Sequence, residues 1–230
     1  MTQRSRGFRI GRFLFVALLI VLLAPAALIL LYRVVPVPGT PLMVLRAIEG
    51  AGWEYSWRPI ERIAPVLARA ALTAEDQSFC THHGFDTKAL REAWEDYLED
   101  DGGTLRGGST ISQQTAKNLL LWPGRDWVRK GLEAWLTIYI EALWPKQRIM
   151  EVYLNVVEWG RGVYGAEAAA KHHFGKTAAT LSPSEAARLA AVLPSPLRWS
   201  ASKPGPYVLR RSETLQGRAA RLGELAACLK

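Results

Sequence analysis

Cysteine and histidine are scarce in this chain of 230 residues. The two cysteines, Cys80 and Cys228, are too few for a disulfide framework, and they leave open either one bridge or two unpaired thiols. The four histidines form two adjacent pairs, without a His-Glu-x-x-His pattern or a Cys-His spacing typical of zinc ligands. The sequence therefore argues against a zinc site and against a small disulfide-rich fold.

Several patterns that identify other protein classes are also missing. No internal repeat, low-complexity tract or convincing alternating strand pair occurs. The glycine pairs at 102–103 and 107–108 lack the Gly-Lys-Ser/Thr ending of a phosphate-binding Walker loop. Ser200-x-x-Lys203 stands without the partner motifs of penicillin-binding enzymes. Nine tryptophans come without a nucleic-acid-binding motif, so we predict no nucleic-acid partner.

One long apolar run, residues 13–32, lies near the N-terminus. It contains ~20 residues, which as a helix span ~30 Å, about the thickness of a bilayer core. Arginines precede the run and the net charge of the chain is +8, which suits a cytoplasmic N-terminus and anionic partners. A cleaved signal peptide with a site near residues 24–26 is the rival interpretation, but the apolar run continues beyond that site.

These features predict an organisation into four segments and a mainly α-helical fold. Helical periodicity dominates the chain after the apolar run, and Thr110-x-x-Gln113 and Ser182-Pro-Ser-Glu185 are typical helix starts. A minor strand element is the alternative to an all-α fold. The predicted segments are a basic cytoplasmic tail (1–12), a transmembrane anchor (13–33), a juxtamembrane connector (34–58) and a domain on the other side of the membrane (59–230).

Three clusters of polar residues could carry chemistry. Glu75 and Asp76 follow a predicted helix and lead into a loop, although acids at a helix end are often only solvated. The glycine pairs precede the helix start at Thr110, where free backbone amides favour an anion such as phosphate. In the third cluster, Arg129 and Glu133 could form a simple ion pair along one helix face, or could belong to a diphosphate clamp.

Taken in order, these clusters are similar to the motifs of the family 51 peptidoglycan glycosyltransferases. The matching motifs are Glu75-Asp76-x-x-Phe79-x-x-His82-x-Gly84-x-Asp86, the run 107–114 with Lys117-Asn118, Arg129-Lys130-x-x-Glu133, and Lys146-x-x-Ile149-x-Glu151-x-Tyr153-Leu154-Asn155. The resemblance spans residues 59–200, and the short chain looks like the monofunctional members without a transpeptidase domain. Four motifs in series are highly specific.

The resemblance implies a lysozyme-like fold and the elongation of glycan strands from lipid II, with release of undecaprenyl diphosphate. It implies an inverting transfer that forms β-1,4 links, with Glu75 as the general base and Glu133 as a second catalytic residue. The implied substrate-binding residues are Asp76, Phe79, His82, Ser109, Thr110, Gln113, Gln114, Lys117, Arg125, Arg129 and Lys130. No complete metal site can be read, and the family allows a divalent cation, Mg²⁺ or Mn²⁺, at the diphosphate.

The chemistry explains why these residue types are needed. A sugar hydroxyl is a poor nucleophile until a base such as Glu75 removes its proton, which accelerates attack by ~10²–10⁴-fold. Diphosphate already leaves well, so it needs cations more than a second acid, and Glu133 is expected to position those cations or a metal. A muramidase or lytic transglycosylase and a non-catalytic cell-wall scaffold are the alternative functions.

The resemblance also implies partners and a location. We expect lipid II, the growing glycan strand and the membrane as partners, and further cell-wall synthesis proteins are open candidates. The expected location is the inner membrane, with a single span and a periplasmic catalytic domain. The sequence does not predict the oligomeric state, the preferred peptide stem or the product length.

Overall fold

The structure is a computed structural model that describes residues 3–99, 108–124 and 126–229. Three parts of the predicted site, the glycine pair at 102–103, Gly107 and the binding residue Arg125, lie outside the described residues. The other predicted site residues can all be located.

The first of two units, Met1–Pro36, consists mainly of helix α1 (Gln3–Tyr32). Its part from Gly11 to Tyr32 has a mean hydropathy of 3.1 and is long and apolar enough to cross a membrane. Consecutive apolar side chains such as Phe13, Leu14 and Phe15 are all exposed, so this stretch has no polar face. An apolar surface of this kind is unfavourable in water.

The second unit, Val37–Lys230, is mainly helical, which confirms the predicted fold class. Its helices follow the predicted periodic segments, except for the first, which lies in the segment predicted as a connector. They are α2 (Pro41–Ile48), α3 (Pro65–Glu75), α4 (Thr87–Glu99), α5 (Ile111–Leu120), α6 (Trp127–Leu143), α7 (Lys146–Val156), α8 (Gly165–Phe174), α9 (Pro183–Val192) and α10 (Pro206–Ala220). Short 3₁₀ helices cover Ile60–Arg62, Ala178–Thr180 and Gly223–Leu229.

Local sequence explains where several helices begin. Thr110 Oγ1 accepts a hydrogen bond from Gln113 N at 3.2 Å, and Gln113 Oε1 accepts one from Thr110 N at 3.0 Å. These two bonds satisfy backbone donors that the first turn of α5 leaves free. Ser182 and Glu185 form the same capping box at α9, and Pro65 begins α3. Both capping boxes confirm helix starts that the sequence predicted.

Helices α3 and α5 lie at the centre of the packing in the second unit. Helix α3 packs against α9 and α10, and α5 packs against α6 and α7. Helices α8 and α9 bury mainly small alanine side chains, while large side chains such as Tyr153 and Trp159 are fully buried elsewhere in the core. Burial of one such large apolar side chain contributes roughly 1.5–3 kcal/mol. The ends of α3 and α5 are therefore held by packing on several sides.

The segment predicted as a connector, residues 34–58, contains a helix, α2, and a strand. Strand β1 (Glu54–Tyr55) pairs in parallel with β3 (Val163–Tyr164), which also pairs antiparallel with β2 (Glu158–Gly160). Gly162 precedes β3 with φ +74°, and a Cβ at this position would lie 2.1 Å from a backbone oxygen. Strands of two or three residues are too short to show alternation, which explains why the sequence indicated at most a minor strand element.

The two cysteines form a disulfide bond, Cys80–Cys228, with Cα atoms 5.5 Å apart. The sequence left open whether the two cysteines are bridged, and the bond joins residues 148 positions apart. Cys80 lies in the loop after α3, and Cys228 lies in the last 3₁₀ helix. The bond therefore ties the C-terminal segment to the loop that follows Glu75.

Candidate active site

Glu75 is the last residue of α3, so the helix extends further than the sequence predicted, which placed Glu75 directly after it. Its half-buried carboxylate accepts a hydrogen bond at Oε2 from Gln114 Nε2 at 2.8 Å. Burial raises the pKa of the Glu75 carboxyl, whereas the bond from Gln114 and the positive charges of Arg211 and Lys117 lower it. The negative charge of Asp76 adds to the rise. A raised pKa makes the carboxylate a stronger base than a solvated glutamate.

Asp76 connects residues 75–86, named here the carboxylate loop, to the start of α5. Its Oδ2 accepts a hydrogen bond from Ile111 N at 2.9 Å. His82 Nε2 lies 3.0 Å from both carboxylate oxygens of Asp76, and His82 Nδ1 accepts a backbone N–H of the same loop. We predicted Asp76 and His82 as substrate-binding residues, but in this structure their polar atoms hold the loop together.

Phe79 lies in the core beneath the carboxylate loop. Its side chain is 0% exposed, and Lys146 Nζ lies 4.5 Å from the ring centroid. Lys146 also lies 2.7 Å from Glu141 Oε1, which accepts a further hydrogen bond from Ser112. A ring without exposed surface does not reach a ligand, so Phe79 supports the loop instead of lining the cleft.

The start of α5 divides its four predicted cleft residues into two kinds. Thr110 and Gln113 are buried in the capping box, and Thr110 Oγ1 also donates to Gly84 O at 2.7 Å. Ser109 is exposed, and Gln114 reaches the Glu75 carboxylate. Ser109 and Gln114 therefore face the cleft, while the other two residues build the helix start.

The cation cluster comprises Lys117 on α5 and Arg129 and Lys130 on α6, around the carboxylate of Glu133. Arg129 Nη1 lies 3.1 Å from Glu133 Oε2, and Lys130 Nζ forms a close ion pair with Glu133 Oε1. Asp126 accepts a hydrogen bond from Arg129 N at 2.8 Å and caps α6. The simple ion pair considered from the sequence does form. It is buried, and it lies within a larger cluster of like charges.

Lys117 is electrostatically coupled to both sides of the cleft. Burial lowers the pKa of the Lys117 ammonium, the nearby positive charges of Arg129 and Lys130 lower it further, and the negative charges of Glu133 and Glu75 raise it. Such coupling requires these groups to lie close together. The geometry agrees, since Ser109 lines a pocket together with Glu75 and its Oγ lies 3.3 Å from Lys130 Nζ. Glu75 and the cation cluster therefore lie near each other, as the sequence predicted for groups that act together.

Two pockets lie on either side of the hydrogen bond between Gln114 and Glu75, because each of these residues lines one of them. One, of about 180 Å³, is lined by Glu75 and Ser109 among other residues. The other, of about 300 Å³, is lined by Gln114 and Lys117 among others. Lys130 Nζ lies 3.3 Å from Ser109 Oγ, so the cation cluster also borders the smaller pocket. A carboxylate and a group of cations thus face adjoining spaces.

This constellation can be compared with known proteins. A family model described as Transglycosylase matches residues 43–220. This range includes the carboxylate loop and the cation cluster. The chain belongs to the transglycosylase family. Family membership confirms the resemblance drawn from the motifs, identifies the chain as a glycosyltransferase enzyme and agrees with a lysozyme-like helical fold.

Similar proteins support the same assignment along nearly the whole transglycosylase chain. A biosynthetic peptidoglycan transglycosylase of Caulobacter vibrioides is 55% identical over 208 residues, which cover 90% of each chain. One of Rhodospirillum centenum is 54% identical over 216 residues, covering 93% of this chain and 90% of the relative. One of Pseudomonas aeruginosa is 49% identical over 218 residues, covering 92% of this chain and 93% of the relative.

Two residues near Glu75 in this transglycosylase were not predicted from the sequence to lie at the site. Arg211 on α10 lies near enough for its charge to lower the pKa of Glu75. Tyr153 on α7 is fully buried, with its hydroxyl 3.5 Å from Gln114 Oε1. Tyr153 belongs to the fourth motif and Arg211 to a basic C-terminal stretch, but neither pattern indicates a position beside Glu75.

The carboxylate nearest the cations, that of Glu133, is already paired with protein side chains. Both oxygens of Glu133 already accept from cationic side chains, Arg129 and Lys130. Within residues 3–99, 108–124 and 126–229, no group of three or more His, Cys, Asp or Glu side chains could hold a metal ion. The cation allowed by the family resemblance remains an untested expectation, and no step of the mechanism below depends on it.

Proposed function

We propose that this transglycosylase polymerises the glycan strands of peptidoglycan from lipid II, with Glu75 as the general base. The observation that carries the proposal is the half-buried Glu75 carboxylate, which is hydrogen-bonded to Gln114 and lies in the field of Lys117. The relatives, at 49–55% identity, are each called a biosynthetic peptidoglycan transglycosylase. Their names support a substrate built from peptidoglycan units.

The proposed reaction is a single inverting displacement. The acceptor hydroxyl oxygen bonds to the anomeric carbon of the donor sugar while the bond from that carbon to the diphosphate oxygen breaks. The hydroxyl proton passes to Glu75, and the electron pair of the broken bond leaves with the lipid diphosphate. The raised pKa of Glu75 favours this proton transfer near neutral pH, because a general base works best when its pKa lies near the operating pH.

The cation cluster has the composition that a diphosphate leaving group needs. Lys117, Arg129 and Lys130 supply three positive charges against the single carboxylate of Glu133. The cluster therefore keeps two positive charges that can be neutralised by a bound dianionic group. Both carboxylate oxygens of Glu133 are paired with cations, Arg129 and Lys130. In this proposal it orients the cations, and no second acid is required.

Helix α1 suits a membrane anchor for such a substrate. Its part Gly11–Tyr32 has the length and hydropathy of a membrane span, and arginines precede it. We propose an uncleaved anchor in the inner membrane, with the N-terminus in the cytoplasm and the catalytic unit in the periplasm. An enzyme held in the bilayer that also contains its lipid substrate gains effective concentration.

The purified full chain in detergent can be tested with labelled lipid II. We expect a glycan polymer that lysozyme digests, and we expect Glu75→Gln to lower kcat by ~10²–10⁴-fold while lipid II still binds. Glu213→Gln, a change of an exposed glutamate on α10, is the matched control and should retain activity. Wild-type kcat in Glu75→Gln would remove Glu75 from its role as the base.

The same assay separates the alternative functions. Release of soluble muropeptides from purified peptidoglycan, without polymer from lipid II, would indicate a lytic transglycosylase or muramidase. Absence of any product from either substrate would indicate a scaffold.

A further inference from the structure

We propose that Tyr153 is a positioning residue for Glu75. It acts on the Glu75 carboxylate indirectly, by orienting the side-chain amide of Gln114. This inference rests on the proposed function, because it assigns Tyr153 the task of keeping the proposed base ready to accept a proton. The three residues come from three different helices, α7, α5 and α3. Their side chains form one chain of hydrogen bonds through the interior.

The contacts run from the core to the cleft. The Tyr153 hydroxyl lies 3.5 Å from Gln114 Oε1, and Gln114 Nε2 donates to Glu75 Oε2 at 2.8 Å. Tyr153 is 0% exposed, so water does not compete for its hydroxyl. Burial and the negative charges of Glu75 and Asp76 raise the pKa of Tyr153 well above its ordinary value. The phenol therefore stays protonated and serves as a donor.

The chemistry of a primary amide turns this contact into a directional one. An amide oxygen only accepts hydrogen bonds, and an amide nitrogen only donates them. When Tyr153 donates to Oε1 of Gln114, the Nε2 end of the amide is turned toward Glu75. An ionised carboxylate accepts that N–H bond, whereas a flipped amide would face the carboxylate with its oxygen. The orientation of Gln114 therefore favours the ionised, proton-accepting form of Glu75.

Other groups around Glu75 act independently of this orientation. Lys117 from α5 and Arg211 from α10 favour the ionised carboxylate, while burial and the adjacent charge of Asp76 oppose it. Removing the Tyr153 hydroxyl leaves these effects in place and removes only the constraint on the amide. The expected consequence is a further rise in the pKa of Glu75, with no change in the charges that bind substrate.

The first test is the pH dependence of polymerisation by Tyr153→Phe, which keeps the buried ring. We expect the acid limb of the kcat profile to move up by about one pH unit, which is about a tenfold loss of kcat on the acid side. KM and the plateau at higher pH should remain within twofold of wild type. Tyr164→Phe removes another fully buried hydroxyl and is the matched control, with an unmoved acid limb. An unmoved limb in Tyr153→Phe, or an equal shift in the control, would overturn the proposal.

A second measurement does not depend on turnover. The Glu75 carboxyl can be titrated by ¹³C NMR in carboxyl-labelled full chain, with the signal assigned from its loss in Glu75→Gln. We expect Tyr153→Phe and Gln114→Ala each to raise the pKa of Glu75. Adding Tyr153→Phe to Gln114→Ala should cause no further shift. An additional shift in the double variant would show that Tyr153 acts without the amide.

These measurements separate the inference from the function on which it rests. If Glu75→Gln stays active, the base assignment fails, yet the titration still decides whether Tyr153 controls the Glu75 pKa. If Tyr153→Phe does not fold, 3-fluorotyrosine at position 153 tests the same contact with nearly unchanged packing. Its more acidic hydroxyl is a stronger donor and should lower the pKa of Glu75, and an unchanged pKa would contradict the proposal.

Discussion

In the carboxylate loop Asp76 and Asp86 each accept several hydrogen bonds and Glu75 accepts one from Gln114, whereas the described cation cluster gathers positive charges around one shared carboxylate. Asp76 is bound by His82 and by the first backbone N–H of α5. Lys130, by contrast, keeps 41% of its side chain exposed beside Glu133. The comparison teaches that the proposed base is prepared by burial and by its hydrogen bond from Gln114, while on the cation side Arg129 is buried and Lys130 remains open to an incoming anion.

The comparison predicts opposite effects of two glutamate-to-glutamine changes on stability. Glu133→Gln leaves Arg129, with 8% of its side chain exposed, without an anionic partner, so we expect a loss of about 3 kcal/mol in the free energy of unfolding. Glu75→Gln should leave stability equal or higher, because burial disfavours the ionised Glu75. Urea unfolding at pH 7 measures both values. A larger loss for Glu75→Gln than for Glu133→Gln would reverse the comparison.

Linkage gives the sign of the pH effect in the same experiment. The folded chain holds the Glu75 proton more tightly than the unfolded chain, since its folded pKa is raised. Its contribution to stability therefore falls as pH rises from about 4, the unfolded pKa, through the folded pKa. In Glu75→Gln this decrease of stability with rising pH should be absent. An unchanged dependence of stability on pH would contradict the raised pKa.

Removal of the disulfide tests how far the carboxylate loop depends on the C-terminal segment. We expect the double change Cys80→Ser and Cys228→Ser to lower stability by ~2–4 kcal/mol, because the bond closes a long loop. The melting temperature should fall by about 10 °C, by calorimetry in detergent. A reductant should lower the wild-type melting temperature similarly and leave the variant unaffected. Equal melting temperatures of the oxidised wild type and the variant would mean that the bond adds nothing.

A smaller effect, on the pH dependence of activity, is expected when Lys117, the more buried of the two lysines in the cation cluster, is replaced. Burial and nearby cations lower the pKa of Lys117, so activity should decline at a pH below the ordinary lysine pKa of ~10.4. In Lys117→Arg the guanidinium stays charged, and the basic limb of the kcat/KM profile should move to higher pH by about one unit. If the limb stays in place, another group controls it.

The smallest expected effect concerns the contact between the two sides. Ser109→Ala removes the hydroxyl that lies 3.3 Å from Lys130 Nζ. The bond is donated by the Lys130 ammonium but is long and exposed to solvent, so we expect it to contribute only ~0.5 kcal/mol. KM for lipid II should then rise about twofold, without change in kcat. Ser202→Ala, at an exposed position outside the cleft, serves as control. A tenfold rise would mean that Ser109 binds substrate directly.

The helices and their starts were predictable because their causes are local. Thr110 and Gln113 lie within one turn, so their capping box can be read directly from the sequence. The order of the motifs also identified the family and the candidate residues Glu75 and Lys117. The three short strands were not predictable in detail, since their pairing depends on contacts between distant segments.

Spacing along the chain determined that an apolar span precedes a mainly helical transglycosylase unit and that a carboxylate and a group of cations lie near helix ends. Only the tertiary structure decided which of those residues face the cleft and which support it. Phe79 and Asp76 became supports, and Arg211 and Tyr153 came to lie near Glu75. The physical reason is that burial, pKa shifts and the Cys80–Cys228 bond depend on distances in space, which packing alone sets.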